Sequence, residues 1–166
     1  MDRKQVLIPE EQTLRQRDFE RKIRELHTQR GRSVRALVDT FGCQQNVADS
    51  EKIKGMLEQS GFEFSDEPDN ADFILFNTCA VREHAEDRVF GNVGALKNLK
   101  RKHPQILIAL CGCMMEQEHV ANKIYKSFPF VGLVFGTHSL HHFPELMYNA
   151  CLLYTSPSPR DGATSR

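Results

Sequence analysis

"ADFILFNTC" (71–79) decides how the chain folds. Phe73 to Phe76 are apolar without the polar alternation of a half-exposed strand, the pattern of a strand covered on both faces. A helical stripe follows near 83–102, with Ala85, Val89, Val93 and Leu96 aligned. Outward from this unit the alternation repeats. Upstream, the β-branched and apolar run "VRALVDTF" (34–41) leads into "NVADSEKIKGMLEQSG" (46–61), which brings Ile53, Met56 and Leu57 onto one helical face. Asn46 or Asp49 is the candidate cap at its start and Gly61 at its end. "FEF" (62–64) reads as a short edge strand.

Downstream, Pro104 closes the helix after the central strand, and "QILIAL" (105–110) is the next strand. A helix near 115–127 aligns Val120 with Ile124, and Phe128 continues its stripe. "VGLVFG" (131–136) is a fourth major strand, and a last helix runs through "PELMYNA", with Pro144 tolerated in its first turn. Near-continuous apolar strands alternating with amphipathic helices predict an α/β fold, a doubly wound and mainly parallel sheet with helices on both faces. The spacing of about 35 residues is one strand–helix–strand step, not a sequence repeat.

The flanks differ from this core. Residues 1–32 form a charged arm in which Leu14, Phe19, Ile23 and Leu26 fall at rough helical spacing; counted through Arg35, ten Lys or Arg stand against six Asp or Glu, about +4. The arm is expected to be either a solvated helical leader or a peripheral helix that docks elsewhere in a larger protein. Residues 33–150 are the predicted domain. Residues 151–166, "CLLYTSPSPRDGATSR", are rich in Ser and Pro and read as a disordered, non-native tail of the kind a cloning scar leaves. The natural protein is therefore expected to continue beyond about Ala150.

The chain has 166 residues, enough for one core with extensions. Its formal net charge of zero, with 27% charged residues, excludes a uniform attraction to nucleic acid or membrane. No apolar run is long enough to cross a bilayer, and "MDRKQVLIPEEQ" lacks the apolar stretch of a secretion signal, so the expected location is cytoplasmic. Five cysteines are an odd number for a disulfide framework; in a reducing compartment, cysteines at loop positions point to metal or catalysis.

Three of the five have a common position. Cys43 follows the first strand, Cys79 ends the central one, and Cys113 follows "QILIAL", with 36 and 34 residues between them. The carboxyl ends of parallel strands share one edge of a sheet, and ligands bind in the crevice there. Gly42, Thr78 with Ala80, and Gly112 flank the three; glycine lets backbone approach a bulky inorganic group. A helix N-terminus beside each cysteine would favour the thiolate that binds metal. Three thiolates suit an iron–sulfur centre, and a [4Fe–4S] cluster on three cysteines leaves one iron open. Cys111, two residues before Cys113, reads as a packed thiol.

"TFGCQQNVADSE" (40–51), "NTCAVREHAEDRVF" (77–90) and "CGCMMEQE" (111–118) closely resemble the N-terminal domain of the tRNA methylthiotransferases, radical S-adenosylmethionine enzymes. The resemblance covers about 34–150. It implies that Cys43, Cys79 and Cys113 ligate an auxiliary [4Fe–4S] cluster, and that the intact enzyme adds a methylthio group to isopentenylated adenosine beside the anticodon of tRNA. It also implies a second [4Fe–4S] cluster and S-adenosylmethionine in the full-length enzyme. The Cys-x3-Cys-x2-Cys motif of that second cluster does not occur here, so no catalytic residue is assigned, and the missing radical domain is an expected partner. A monomer without a membrane partner is expected. Where many members follow the third cysteine with a small residue and Ala-Gln, this chain has Met114-Met115-Glu116-Gln117, which leaves open which side chains line the cluster rim.

Two readings compete. Related enzymes act on threonylcarbamoyladenosine or on an aspartate of a ribosomal protein, and this domain separates those substrates poorly. A non-enzymatic zinc or thiol-switch module is the alternative from another class; Cys111 and Cys113 are too close for the usual Cys-x-x-Cys pair. "THSLHH" (137–142) lacks zinc-site spacing with other ligands, "LKNLKRKH" (96–103) reads as a basic helix end matched to the helix dipole in preference to a tRNA contact, and no phosphate-binding glycine loop is present. Asn46, Asp49 and Asn77 are candidate neighbours of a cluster or cofactor, with capping of the adjacent turns the simpler expectation.

Overall fold

A computed structural model describes residues 10–31, 33–42, 44–79 and 85–155. In chain order the elements are α1 (Glu10–Arg30), β1 (Val34–Thr40), α2 (Gln44–Gln59), β2 (Phe62–Phe64), β3 (Phe73–Thr78), α3 (Ala85–Ala95), α4 (Lys97–Lys102), β4 (Leu107–Gly112), α5 (Glu118–Ser127), β5 (Leu133–Phe135) and α6 (Phe143–Thr155). The five strands form one sheet in the order β2-β1-β3-β4-β5, and every pairing is parallel. The doubly wound α/β class expected from the alternating runs is the fold.

Every residue of β3 and β4 is buried, which is why those segments carry no polar alternation. Side chains divide by strand parity. Phe73 and Leu75 of β3 with Leu107 and Ala109 of β4 face a core shared with Ile23 of α1, Ile53 and Leu57 of α2, and Met147 of α6. Ile74 and Phe76 with Ile108 and Leu110 face the opposite core, shared with Val89 and Val93 of α3, Leu99 of α4, and Val120 and Ile124 of α5. Each fully buried side chain of this size contributes on the order of 1.5–3 kcal/mol of hydrophobic stabilisation.

The boundaries depart from the sequence expectation in places with identifiable causes. The helix expected over 83–102 is broken at Leu96, whose N–H turns to Val93 O at 3.0 Å. Gly91 and Gly94 weaken the last turns of α3, and the break lets both Leu96 and Leu99 reach the core. The strand expected at 105–110 starts and ends two residues later, because the Lys100 ammonium donates to the Pro104 and Ile106 carbonyls and holds that turn closed. Gly61 takes a φ of +92° just past α2, as the expected C-terminal signal requires. Helix α6 reaches Thr155, five residues past the boundary drawn at 150, and Cys151 on it packs into the first core. Among the described residues no helix is long and apolar enough to cross a membrane.

The charged arm is not a freely solvated leader: α1 packs on this domain. Ile23 is fully buried, Gln16 exchanges hydrogen bonds with Glu145 of α6 (3.1 and 3.4 Å), and the Phe19 and Tyr148 rings lie 5.5 Å apart. Arg24 donates to Gln59 O at the end of α2. Only part of the predicted apolar stripe is used, since Leu14 is 58% exposed. Ile23→Ala is therefore expected to lower unfolding free energy by about 2–4 kcal/mol, whereas Leu14→Ala stays within about 0.5 kcal/mol of the parent; urea denaturation of both variants checks this.

Candidate metal centre at the carboxyl edge of the sheet

The strand order reverses between β1 and β3: the chain leaves β1 toward one face of the sheet and β3 toward the other, which opens a crevice at their carboxyl ends. The register puts those ends level, with Thr40 opposite Asn77, Asn77 opposite Cys111, and Thr78 opposite Gly112. Neighbouring strands lie about 4.8 Å apart, so the ends of β1 and β4 are roughly 10 Å apart across β3. Cys79 comes directly after Thr78 and Cys113 directly after Gly112. Cys43, three residues beyond Thr40, lies outside the described residues, between Gly42 and Gln44.

Backbone approach at this edge is very close. A Cβ placed on Gly42 would sit 2.5 Å from the Cβ of Cys79, and one on Gly112 would sit 2.1 Å from the carbonyl oxygen of Thr78. Both glycines take positive φ, +149° and +110°, which side chains rarely adopt. The Sγ of Cys113 lies 3.8 Å from Thr78 O. The structure thus gathers Cys79, Cys113 and the residue preceding Cys43 around the Thr78–Cys79 peptide. Cys79 is buried and Cys113 half-buried, so a group held here would be reached mainly from the Cys113 side.

The helix expected beside each cysteine is only partly found. Helix α2 opens at Gln44, but Cys113 starts a 3-10 turn, Cys113–Glu116, and α5 begins only at Glu118. Met114 and Met115 are both buried in the core under α3 to α5, so they are not rim residues. Glu116 braces the next strand, its carboxylate accepting the His138 N–H at 3.1 Å and filling the space a side chain on Gly136 would need.

Asn77 lies inside β3 and does not cap a turn as expected, and Asn46 reaches across to that strand. Asn46 sits inside the first turns of α2 and faces the sheet, because the buried positions 46, 49, 50, 53 and 57 form one helical stripe whose near end is polar. Its Nδ2 donates to Asn77 Oδ1 at 3.0 Å and to Thr78 O at 2.8 Å. Asn77 Nδ2 answers with bonds to Asn46 O at 2.8 Å and Ser50 Oγ at 2.9 Å. Ser50 Oγ is 2.7 Å from Thr40 Oγ1, and Thr78 Oγ1 donates to Cys111 O at 2.7 Å. The network joins β1, α2, β3 and β4, and the spacing of polar residues 46, 49 and 50 at the head of an apolar stripe was the signal for it.

Cys111 lies inside β4 and its side chain joins the first core. Burial, and secondarily the nearby Asp49 carboxylate, pushes its thiol pKa far up and keeps it protonated. The "THSLHH" segment forms a 3-10 turn after β5, with the His141 and His142 rings 4.0 Å apart; burial first, then His142, lowers the His141 pKa. Among the described residues no three His, Cys, Asp or Glu side chains are grouped to hold a metal ion. What the cysteine edge offers is a donor set of soft sulfur with a glycine cradle, which fits an iron–sulfur cluster better than a hard cation. A polar open cleft of about 410 Å³, lined by Arg35, Asp72 and His103 among others, lies at the opposite, amino edge of the sheet and takes no part.

The family described as Uncharacterized protein family UPF0004 matches residues 35–136. Proteins called tRNA-2-methylthio-N(6)-dimethylallyladenosine synthase are similar to the chain. That of Clostridium perfringens (strain 13 / Type A) is 52% identical over 111 residues, 67% of this chain and 25% of the relative. The one from Caldicellulosiruptor saccharolyticus is 50% identical over 133 residues, 80% and 28%, and that of Acetivibrio thermocellus 44% over 153 residues, 90% and 32%. The chain thus spans a quarter to a third of the length of these relatives. A parallel sheet with this cysteine edge, matched along most of its length, belongs to the UPF0004 family, the N-terminal domain of the tRNA methylthiotransferases.

Proposed function

We propose that this domain holds an auxiliary [4Fe–4S] cluster on Cys43, Cys79 and Cys113 and serves as the sulfur-supplying part of a cytoplasmic tRNA methylthiotransferase acting on dimethylallyladenosine. The observation that carries the reading is the packing of Gly42 and Cys113 against the Thr78–Cys79 peptide at the level ends of β1, β3 and β4. The substrate follows the name of the relatives, and tRNA is accordingly the macromolecular partner of the whole enzyme. S-adenosylmethionine and the radical chemistry belong to a second cluster whose Cys-x3-Cys-x2-Cys motif these 166 residues do not contain.

A cluster held by three thiolates supplies one iron to which a sulfur atom destined for transfer can bind. The chain's own residues do the rest. Cys113, half-buried at the end of β4, stands at the solvent side, while buried Cys79 anchors the inner side. Strand parity turns Cys111 into the core, and Cys151 packs into the same core from α6, which supports leaving both out of the ligand set.

Anaerobic reconstitution with iron and sulfide tests the reading directly. The chain is expected to take up about four irons rather than eight, to lose them when Cys43, Cys79 or Cys113 is replaced by Ala, and to keep them in Cys111→Ala and Cys151→Ala. Iron loss in either of the last two would refute the ligand set.

Thiol chemistry gives a second check. Because its proton is held far above neutral pH, Cys111 in the folded apoprotein is expected to resist iodoacetamide at pH 8 at least tenfold better than Cys113, read by peptide mass spectrometry; equal rates would contradict the assignment. In the full-length gene, Cys79→Ala or Cys113→Ala is expected to abolish the methylthio nucleoside in tRNA digests while leaving dimethylallyladenosine behind.

A further inference from the structure

Asn46 touches the approach to all three proposed ligands. A Cβ on Gly42, the residue before Cys43, would lie 2.6 Å from Asn46 Oδ1, so the amide closes the loop from that side. Its Nδ2 donates at 2.8 Å to the carbonyl of Thr78, the residue before Cys79. That same carbonyl faces the Cys113 thiol at 3.8 Å. Asn46 is 4% exposed and is held in turn by Asn77, itself 1% exposed.

The Asn46 amide thus supplies a side-chain donor to the buried Thr78 carbonyl, a group that costs free energy when it is left without one.

We propose that Asn46 is a positioning residue for the cluster: through one side-chain amide it fixes Gly42 and the Thr78–Cys79 peptide against each other, and so holds the backbone from which the proposed ligands leave the sheet. This rests on the proposed cluster and adds to it a residue that does not itself bind iron. Ser50 supplies the comparison. It belongs to the same network, bonded to Thr40 and Asn77, but the bonds it makes there go to no residue flanking a cysteine.

The test reconstitutes the wild type, Asn46→Ala, Asn46→Asp and Ser50→Ala anaerobically, then follows chelator-driven loss of the cluster and the EPR spectrum of its reduced form. Apoprotein melting is measured alongside. Both Asn46 variants are expected to lose the cluster about tenfold faster or more, with altered EPR signals, while Ser50→Ala matches the wild type despite a lowered melting temperature. Folded Asn46 variants with wild-type loss rates and spectra overturn the positioning role and leave the cluster standing. Loss of the cooperative melt in both Asn46 variants overturns it in favour of a purely structural role. A wild type that takes up no iron overturns the cluster, and this role with it.

Discussion

Level strand ends are the constraint on which everything else in this molecule depends. Because all pairings are parallel and the register sets Thr40, Asn77, Cys111 and Phe135 side by side, the chain leaves β1, β3 and β4 at one height. Residues distant in sequence then become neighbours without any local motif. The apolar cores on the two faces hold the sheet flat against its helices, and the polar network at the carboxyl edge sets how the loops leave it. Stability comes from the first and geometry from the second.

The network also explains why polar residues are buried here at all. Asn46, Asp49, Ser50, Asn77 and Thr78 lie at the one place where the strand order reverses and no single helix covers the strand ends. Backbone groups emerging from β1 and β3 have to be satisfied there. Phe41 N–H reaches Asn77 O at 2.8 Å, and the side-chain amides take up the neighbouring groups. Two asparagines that each donate to the other's residue bind α2 to β3 more specifically than an apolar contact would, since a shift of either element leaves buried donors unpaired.

Much of this was legible in the sequence, and the exceptions have a common cause. The strands were plain because runs such as Phe73–Phe76 and Ile106–Leu110 are apolar on both faces, a pattern no surface helix sustains. The placement of Cys79 and Cys113 after strand ends followed from the same runs. Partners were not legible. Ile23 and Leu26 showed that α1 has an apolar side but not that α6 and α2 would cover it. Asn46 near a helix start reads alike whether its amide caps that helix or crosses to a neighbouring strand. The break at Leu96 and the late start of β4 depend on side chains meeting the core and on Lys100 reaching two carbonyls, contacts made only once the chain is folded.

Gly112 carries a consequence of another kind. The carbonyl of Thr78 occupies the volume that any larger residue at 112 would claim, so the carboxyl edge between β3 and β4 is shaped there by main chain rather than by side groups. The Met114-Met115 pair lies outside that constraint, two bulky thioethers absorbed by the neighbouring core beside the turn that Cys113 opens. Glycine is the one residue that fits at 112, because a methyl group there would overlap the backbone of the adjoining strand.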